Sequence, residues 1–323
     1  MEAVQWEKLG KGFTPCSGTE KSLPGGVYTV VSTQAGLVFQ PKKLSTDDLL
    51  RFEDPTHQEI IGEINNFWAL KPKYSKLGFL HNRALLMWGP PGSGKSCISK
   101  IVVADVVNMK NIVLNCDDIY LVSGALNAIR EVEPQRQIMV LMEDIDSLRG
   151  EGKLLSLLDG EDTVDNILYL CTTNYIDRIP ERVLRPGRID RRISVPCPPR
   201  AGRIAFLKSK IGGPITGDDN NSAVINRLAD ATDGLSFAHL RELLVGVYCL
   251  GHKPEEVIKR LKNKGAEELT KQSIKAMDRK ISVAMTKKDK RMAATASVTK
   301  MPEQTFKITK AEVRQIKKRR ASK

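Results

Sequence analysis

The sequence predicts an α/β protein, in which helices cover both faces of a parallel sheet and a small helical domain follows. Between residues 84 and 196, short apolar runs alternate with mostly helix-like stretches, which is typical of a buried parallel sheet. The predicted strands are Ala84–Trp88, Ile112–Asn115, Ile138–Met142, Ile167–Cys171 and Ile193–Val195. Beyond Pro199 the pattern becomes helical, and its leucines are sufficient to form a second, smaller core.

The chain has 323 residues, enough for one large core and a smaller second one. We divide it into a small, possibly β-rich N-terminal segment (1–45), an α/β P-loop domain (46–198), a helical lid (199–261) and a basic, partly disordered tail (262–323). The β-branched run Val27–Val31 favours strands in the first segment. Further helices are predicted at Ser45–Leu50, Pro55–Leu70, Leu269–Met285 and Thr309–Lys318.

The net charge of +13 is concentrated in the tail. Residues 262–323 contain nineteen Lys and Arg against six Asp and Glu, whereas residues 1–261 contain 32 of each. The body is therefore neutral and the tail carries the whole excess. Such a tail is either a solvated, disordered extension or a segment that binds nucleic acid through its phosphates.

The cysteines and the apolar runs indicate the compartment. The six cysteines are scattered without a C-x-x-C pair, so neither a disulfide framework nor a zinc site is expected. The apolar runs are too short to span a bilayer, and Met1–Gly10 lacks the apolar core of a signal peptide. We therefore expect a soluble, cytoplasmic protein that makes no use of a membrane.

A phosphate-binding loop follows the first predicted strand of the sheet. Residues Gly89-Pro90-Pro91-Gly92-Ser93-Gly94-Lys95-Ser96 fit the pattern G-x-x-x-x-G-K-[ST], and the helical stretch Ile98–Val107 comes after them. Glycines allow backbone N–H groups to surround phosphates, and the start of the helix adds its partial positive charge. We expect Lys95 to reach the β- and γ-phosphates of ATP and Ser96 to bind Mg²⁺, with Cys97 completing the nucleotide site.

Carboxylates follow the apolar run Ile138–Met142, beginning with Glu143 and Asp144. Ligands of open α/β sheets bind at the carboxyl ends of the strands, so these side chains are expected beside the phosphate loop. One of them can hold Mg²⁺ and the other can orient and deprotonate water. Asn174 follows the next strand, where its amide can contact the attacking water or the γ-phosphate.

These motifs together resemble the AAA ATPases in order and spacing over residues 45–250. The resemblance rests on Gly89–Ser96, Glu143–Asp146, Thr172–Asn174 and Leu184–Asp190. The runs Leu155–Gly160 and Thr173–Arg178 are similar to the branch that holds the mitochondrial respiratory-complex assembly chaperone.

The resemblance implies roles for individual residues. Glu143 and Asp144 are the Walker B pair, with Glu143 beside Mg²⁺ and Asp144 beside the water, and Asn174 is sensor 1. Arg185 and Arg188 are arginine fingers that serve the nucleotide of a neighbouring subunit. The family fold is an α/β ATPase domain with a small helical lid. It usually assembles into a homo-oligomeric, hexameric ring.

Two positions depart from the family pattern. The usual Walker B order is Asp-Glu, and here it is Glu-Asp, which leaves open which carboxylate activates the water. In the lid motif Gly234–Leu240, His239 occupies the place of an aspartate, so only the position is carried over.

Tyr120 lies where family members that thread polypeptides have an aromatic residue, although it could instead pack in the core of the next helix.

Three functions are compatible with these features. The first is a ring ATPase that remodels, unfolds or translocates a macromolecule, with a protein substrate or adaptor as its partner. The second is a nucleic-acid loader or translocation ATPase that uses the basic tail, and the third is a non-motor P-loop switch or kinase. The R-x-x-R spacing of Arg185 and Arg188 argues against the third.

Overall fold

The computed structural model describes residues 5–16, 20–34, 36–43, 55–148, 150–159, 165–211 and 222–263. The helices predicted at Ser45–Leu50, Leu269–Met285 and Thr309–Lys318 lie outside these residues, as does the tail beyond residue 263.

The described strands form one nine-stranded sheet, in the order β1-β2-β4-β3-β6-β7-β8-β5-β9. They are β1 (Gln5–Leu9), β2 (Gly12–Cys16), β3 (Gly26–Thr33), β4 (Gly36–Pro41), β5 (Asn82–Trp88), β6 (Ile112–Asn115), β7 (Ile138–Met142), β8 (Ile167–Thr173) and β9 (Arg191–Ser194). The last five correspond to the strands expected from the apolar runs, and they pair in parallel. The predicted α/β fold class is confirmed.

Strands β1 to β4 extend this sheet, and their pairing with one another is antiparallel. Strand β3 joins the parallel part, with Gly26 opposite Ile112 and Thr29 opposite Asn115. The β-rich segment expected at residues 1–45 thus continues the main sheet across β6, whereas the domain boundary at residue 45 stays a prediction. The sequence of the N-terminal segment contains only short β-branched runs, which favour strands but do not indicate which strand they pair with.

Helices cover both faces of the sheet, because alternate side chains of a parallel strand point to opposite faces and nearly all of them are apolar here. The large-domain helices are α1 (Pro55–Ala69), α2 (Lys71–Leu77), α3 (Lys95–Asn108), α4 (Ile119–Val132) and α5 (Glu151–Asp159). Helices α1 and α3 enclose one buried cluster with the sheet, and α4 and α5 enclose the other.

The lid is helical, as the leucine pattern predicts. It contains α6 (Arg200–Ile211), α7 (Ser222–Ala231), α8 (Phe237–Leu244), a π-helical turn (Val245–Cys249) and a helix at residues 254–263. Its own core is built around Leu207, Leu240 and Leu243, which are fully buried. Among the helices of the described residues, none is long and apolar enough to cross a membrane.

Candidate functional site

The strand order brings the predicted motifs to one edge of the sheet. Strand β8 lies between β7 and β5. Asn174, which follows β8, therefore lies between the carboxylates after β7 and the phosphate loop after β5. Parallel strands all end at the same edge, so this convergence follows directly from the topology.

The phosphate loop has the backbone that its glycines allow. Gly92 and Gly94 have φ values of 71° and 109°, in the left-handed region that a side chain disfavours. A Cβ atom on Gly89 would lie 2.0 Å from the carbonyl oxygen of Val195, just beyond β9. The loop is thus close-packed against the sheet at one end and begins α3 at the other.

Lys95 is buried beneath this loop, with 5% of its surface exposed. Its Nζ donates to the carbonyl oxygens of Gly89 and Pro90, at 2.9 Å each. Burial lowers the pKa of Lys95, and the nearby carboxylates of Asp144 and Asp146 oppose this effect. The ammonium group is therefore held inside the loop, close to the acidic edge, at an electrostatic cost that a bound polyphosphate would offset.

Replacing Lys95 by alanine should weaken ATP binding by about tenfold to a hundredfold, the range for a hydrogen bond to a charged group. Unfolding of the nucleotide-free protein should stay at the same temperature or rise, because the change removes a buried charge. Equilibrium titration with a fluorescent ATP analogue, together with thermal unfolding, checks both expectations. Lys100, exposed on α3, provides a matched Lys→Ala control. Unchanged affinity in the Lys95 variant would contradict the phosphate-loop assignment.

The carboxylate after β7 is held by groups from β8. Asp144 has φ 47°, an uncommon conformation for a residue with a side chain, and its N–H donates to Oγ1 of Thr172 at 3.0 Å. Nδ2 of Asn174 donates to Oδ1 of Asp144, also at 3.0 Å. Asp144 is therefore oriented by two neighbouring side chains while remaining exposed, which suits a group that must contact a reactant.

The neighbouring carboxylates have different surroundings. Glu143 is exposed and has no hydrogen bond or ion pair with the described residues, which leaves it available to a cation. The Asp146 side chain is 3% exposed; it accepts from Oγ1 of Thr173 at 2.6 Å and lies 3.6 Å from Nη1 of Arg178. Asp146 thus braces the acidic loop, whereas Glu143 and Asp144 face outward from it.

The two predicted fingers differ within the subunit. Arg185 is exposed, and its side chain has no hydrogen bond or ion pair with the described residues. Arg188 donates to both carboxylate oxygens of Asp159, at the end of α5, and to the carbonyl oxygen of Arg182. The sequence predicts the same role for the two arginines. In the structure, the Arg185 side chain is exposed to solvent, whereas Arg188 is bound to residues of its own chain.

The lid lies directly over the phosphate loop. A Cβ atom on Gly92 would lie 2.5 Å from Cβ of Ala238, and one on Gly94 would lie 3.3 Å from the ring of Phe237. Ser236 caps α8 in a capping box with His239, whose Nδ1 accepts from the N–H of Ser236 at 3.2 Å. His239 therefore performs a local structural task in place of the family's aspartate.

Several residues that position the site belong to no recognisable sequence motif. Thr172, Thr173 and Asp159 bind Asp144, Asp146 and Arg188 respectively, but threonines and aspartates are common at strand and helix ends, so nothing marks these in the sequence. The contact of Phe237 with the loop likewise depends on the position of the lid.

The residues present fit a nucleoside triphosphate with Mg²⁺. Oγ of Ser93 is buried in the loop and has no hydrogen-bond partner among the described residues, which leaves a polar atom for a ligand to satisfy. Ser96 is exposed on the first turn of α3, and Glu143 is exposed after β7. Hydroxyl and carboxylate oxygens are the donors that Mg²⁺ prefers, so the donor set suits the ion. Together these features are those expected of a P-loop nucleotide-binding site.

Comparison with known proteins specifies the class further. Residues 85–197 match the family described as ATPase family associated with various cellular activities (AAA). The chain is 27% identical over 246 residues to the ATP-dependent zinc metalloprotease FtsH of Syntrophus aciditrophicus, covering 69% of this chain and 33% of that protein. It is 27% identical over 191 residues to the 26S proteasome regulatory subunit 10B of Dictyostelium discoideum, covering 53% and 48%.

A solved structure, that of C. elegans PCH-2, aligns with a TM-score of 0.48 and 19% identity over 70% of this chain and 73% of that one. The chain spans about a third to a half of the length of these two curated relatives. It contains an AAA ATPase domain, and it is homologous to FtsH and to proteasome regulatory ATPases. The match therefore assigns an ATPase domain to residues 85–197.

Proposed function

We propose that this protein is a ring ATPase that uses ATP hydrolysis to remodel, unfold or translocate a protein partner. The observation that carries the proposal is that one sheet edge bears both the phosphate loop and an exposed aromatic residue, Tyr120. A switch or kinase has no need of an exposed aromatic residue at this edge of the sheet.

Each polar group at this edge has a chemical task in the proposed reaction. Lys95 binds the β- and γ-phosphates, and Ser96 and Glu143 hold Mg²⁺, which supplies charge neutralisation on the phosphate oxygens when it is bound. Asp144 orients the water and accepts its proton, and Asn174 fixes the carboxylate of Asp144 through the bond at 3.0 Å.

A ring of identical subunits, of which six is the family's usual number, would complete the site. Arg185 is exposed and without a partner in its own described chain, and an unpaired guanidinium is suited to the charge that develops on a neighbour's phosphoryl group. Arg188, bound to Asp159, would hold in position the segment Arg185–Arg188, here called the finger loop.

A protein partner is supported by Tyr120 and by the relatives. Tyr120 is 62% exposed on the first turn of α4, so it does not pack in a core as the alternative interpretation of the sequence would require. Its ring lies beside Gly150, where an added Cβ would lie 2.8 Å from the tyrosine hydroxyl. The relatives are named as an ATP-dependent protease and a proteasome subunit, and both names imply action on proteins.

Replacing Tyr120 by alanine should reduce the stimulation of ATP hydrolysis by casein about tenfold, because a gripping residue loses its ring. The measured quantity is the ratio of the hydrolysis rates with and without casein. Tyr120→Phe should retain most of the stimulation. Tyr248→Ala is the matched control, because Tyr248 is an exposed tyrosine on the lid. Equal stimulation in the Tyr120→Ala and wild-type proteins would exclude Tyr120 as the contact with the partner.

A nucleic-acid loader or translocation factor is the second candidate, and the excess charge of residues 262–323 is the observation that favours it. If the tail binds phosphates, DNA or RNA affinity should fall steeply with salt and vanish in a chain ending at residue 261.

We also propose that the protein belongs to the branch of the AAA ATPases that holds the mitochondrial respiratory-complex assembly chaperone. This assignment is supported by the Glu143-Asp144 order, which that branch shares, and by the run Leu155–Gly160.

A further inference from the structure

The loop that leads to Tyr120 is bound to the N-terminal strands. Residues 116–118 connect the end of β6 to the start of α4, and Tyr120 is the second residue of that helix. Asp118 caps the helix by accepting from the N–H of Tyr120 at 2.9 Å. The position of Tyr120 is therefore determined by the position of this short connection.

Asp117, in the middle of the connection, contacts groups from both β3 and the end of β4. Its Oδ2 accepts from Oγ1 of Thr29 in β3 at 3.0 Å. Its Oδ1 lies 3.8 Å from Nζ of Lys42, just after β4, and accepts from Nδ2 of Asn115 at 2.5 Å. Of these three partners, Thr29 lies in the part of the sheet that extends the ATPase core, and Lys42 directly follows it.

The body of α4 rests on the same strands. A Cβ atom on Gly124 would lie 3.2 Å from Cδ1 of Leu37 in β4, so the helix and strand are in close contact there. Trp6 and Phe39 are fully buried in the cluster that α4 covers. Helix α4 therefore packs on strands β3 and β4, and Asp117 links the connection before the helix to Thr29 in β3 and to Lys42 just after β4.

We propose that Thr29 and Asp117 are positioning residues for Tyr120, through which the N-terminal strands set the rest position of the loop that contacts the protein partner. The inference depends on the proposed role of Tyr120. The Asp117 side chain is 52% exposed and that of Lys42 is 49% exposed, so the contacts contribute little to the stability of the fold. They add to the backbone hydrogen bond from the N–H of Cys116 to the carbonyl oxygen of Leu141, at 2.9 Å, in restricting this connection.

Hydrogen–deuterium exchange of the full chain tests the attachment without any substrate. Thr29→Val removes the hydroxyl donor and keeps the side-chain shape, and Asp117→Asn removes the charge. Both changes should make amides of residues 116–121 exchange about threefold to tenfold faster, because local opening becomes easier. Thr29→Ser, which keeps the hydroxyl, should exchange like the wild type.

Thr33 provides a matched control on the same strand. Its hydroxyl donates to the carbonyl oxygen of Gly36 in the turn to β4, away from Asp117. Thr33→Val should therefore leave exchange at residues 116–121 unchanged. Equal exchange in the Thr29→Val, Asp117→Asn and wild-type proteins would overturn the inference, whatever the function of Tyr120.

The functional readout separates this inference from the proposed function. In Thr29→Val and Asp117→Asn, the rate of ATP hydrolysis without protein should equal the wild-type rate, and stimulation by casein should fall about threefold to tenfold. Normal stimulation in variants whose loop has loosened would overturn the positioning role and leave the proposed function intact. Loss of casein stimulation in Tyr120→Ala, with no loss in these variants, would likewise overturn the positioning role alone.

Discussion

Replacing Arg185 by alanine should slow ATP hydrolysis by about 10³-fold or more while ATP still binds, which is the effect expected of an arginine supplied to a neighbour's phosphoryl group. Within its own chain the Arg185 side chain is exposed and contacts no described partner, so its removal breaks nothing that the subunit needs for folding. Single-turnover hydrolysis and equilibrium ATP binding, both measured at a subunit concentration that favours rings, check the two parts of the expectation.

Arg188→Ala should also bind ATP and hydrolyse it poorly, but for a different reason. The guanidinium of Arg188 donates to both carboxylate oxygens of Asp159 and to the carbonyl oxygen of Arg182. The change should therefore release the finger loop from α5. Asp159→Asn is the matched variant, because it removes the charge from the other end of that contact. If Arg188 acts through Asp159, the two variants should lose similar activity. A much smaller loss in Asp159→Asn would instead assign Arg188 a direct role at the neighbouring nucleotide.

Replacing Asp144 by asparagine should reduce turnover by about 10²-fold to 10⁴-fold, because the water loses its general base, while ATP binding remains. Thr172 can still bind the backbone of residue 144, so the loop should keep its conformation. Glu143→Gln should instead raise the Mg²⁺ concentration required for half-maximal activity. Steady-state rates over a Mg²⁺ titration distinguish the two variants.

Glu151 offers the control for both carboxylate variants. It is a partly exposed carboxylate that pairs with Arg182 at 2.7 Å, and Glu151→Gln should alter neither turnover nor the Mg²⁺ requirement. If Glu143→Gln blocks turnover and Asp144→Asn alters the Mg²⁺ requirement, the roles follow residue type and not position along the loop. Thr172 and Asn174 would then orient a ligand of the cation instead of the general base.

The sheet of the ATPase domain was predictable because its strands are buried on both faces. A continuous apolar run between helical stretches, such as Ile138–Met142, is typical of a buried parallel strand, and the phosphate loop fixes the direction of the chain. The extension by β1 to β4 was not predictable, since the pairing of Thr29 with Asn115 depends on residues that are 86 positions apart. No local pattern specifies such a register.

The candidate site divides in a similar way. Lys95 and Asp144 could be singled out from the sequence because they belong to rare patterns, and strand order brings them to one edge of the sheet. Their roles stay predictions. Thr172 and Asp159, which hold Asp144 and Arg188 by hydrogen bonds, could not be predicted, because threonine and aspartate are common at the ends of strands and helices. The difference between Arg185 and Arg188 was also invisible, since it depends on where α5 ends relative to the finger loop.

Mixing the Arg185→Ala and Lys95→Ala variants, at an ATP concentration that leaves the Lys95→Ala site largely empty, tests the shared nucleotide site most directly. An Arg185→Ala subunit keeps its phosphate loop, and a Lys95→Ala subunit keeps its finger. In an equal mixture that assembles at random, about a quarter of the interfaces would join an intact loop to an intact finger. The proposed ring therefore predicts recovery of up to about that fraction of wild-type hydrolysis per subunit, and loss of the recovery on dilution. A mixture that stays inactive, while wild-type activity per subunit is independent of concentration, would contradict a site shared between subunits.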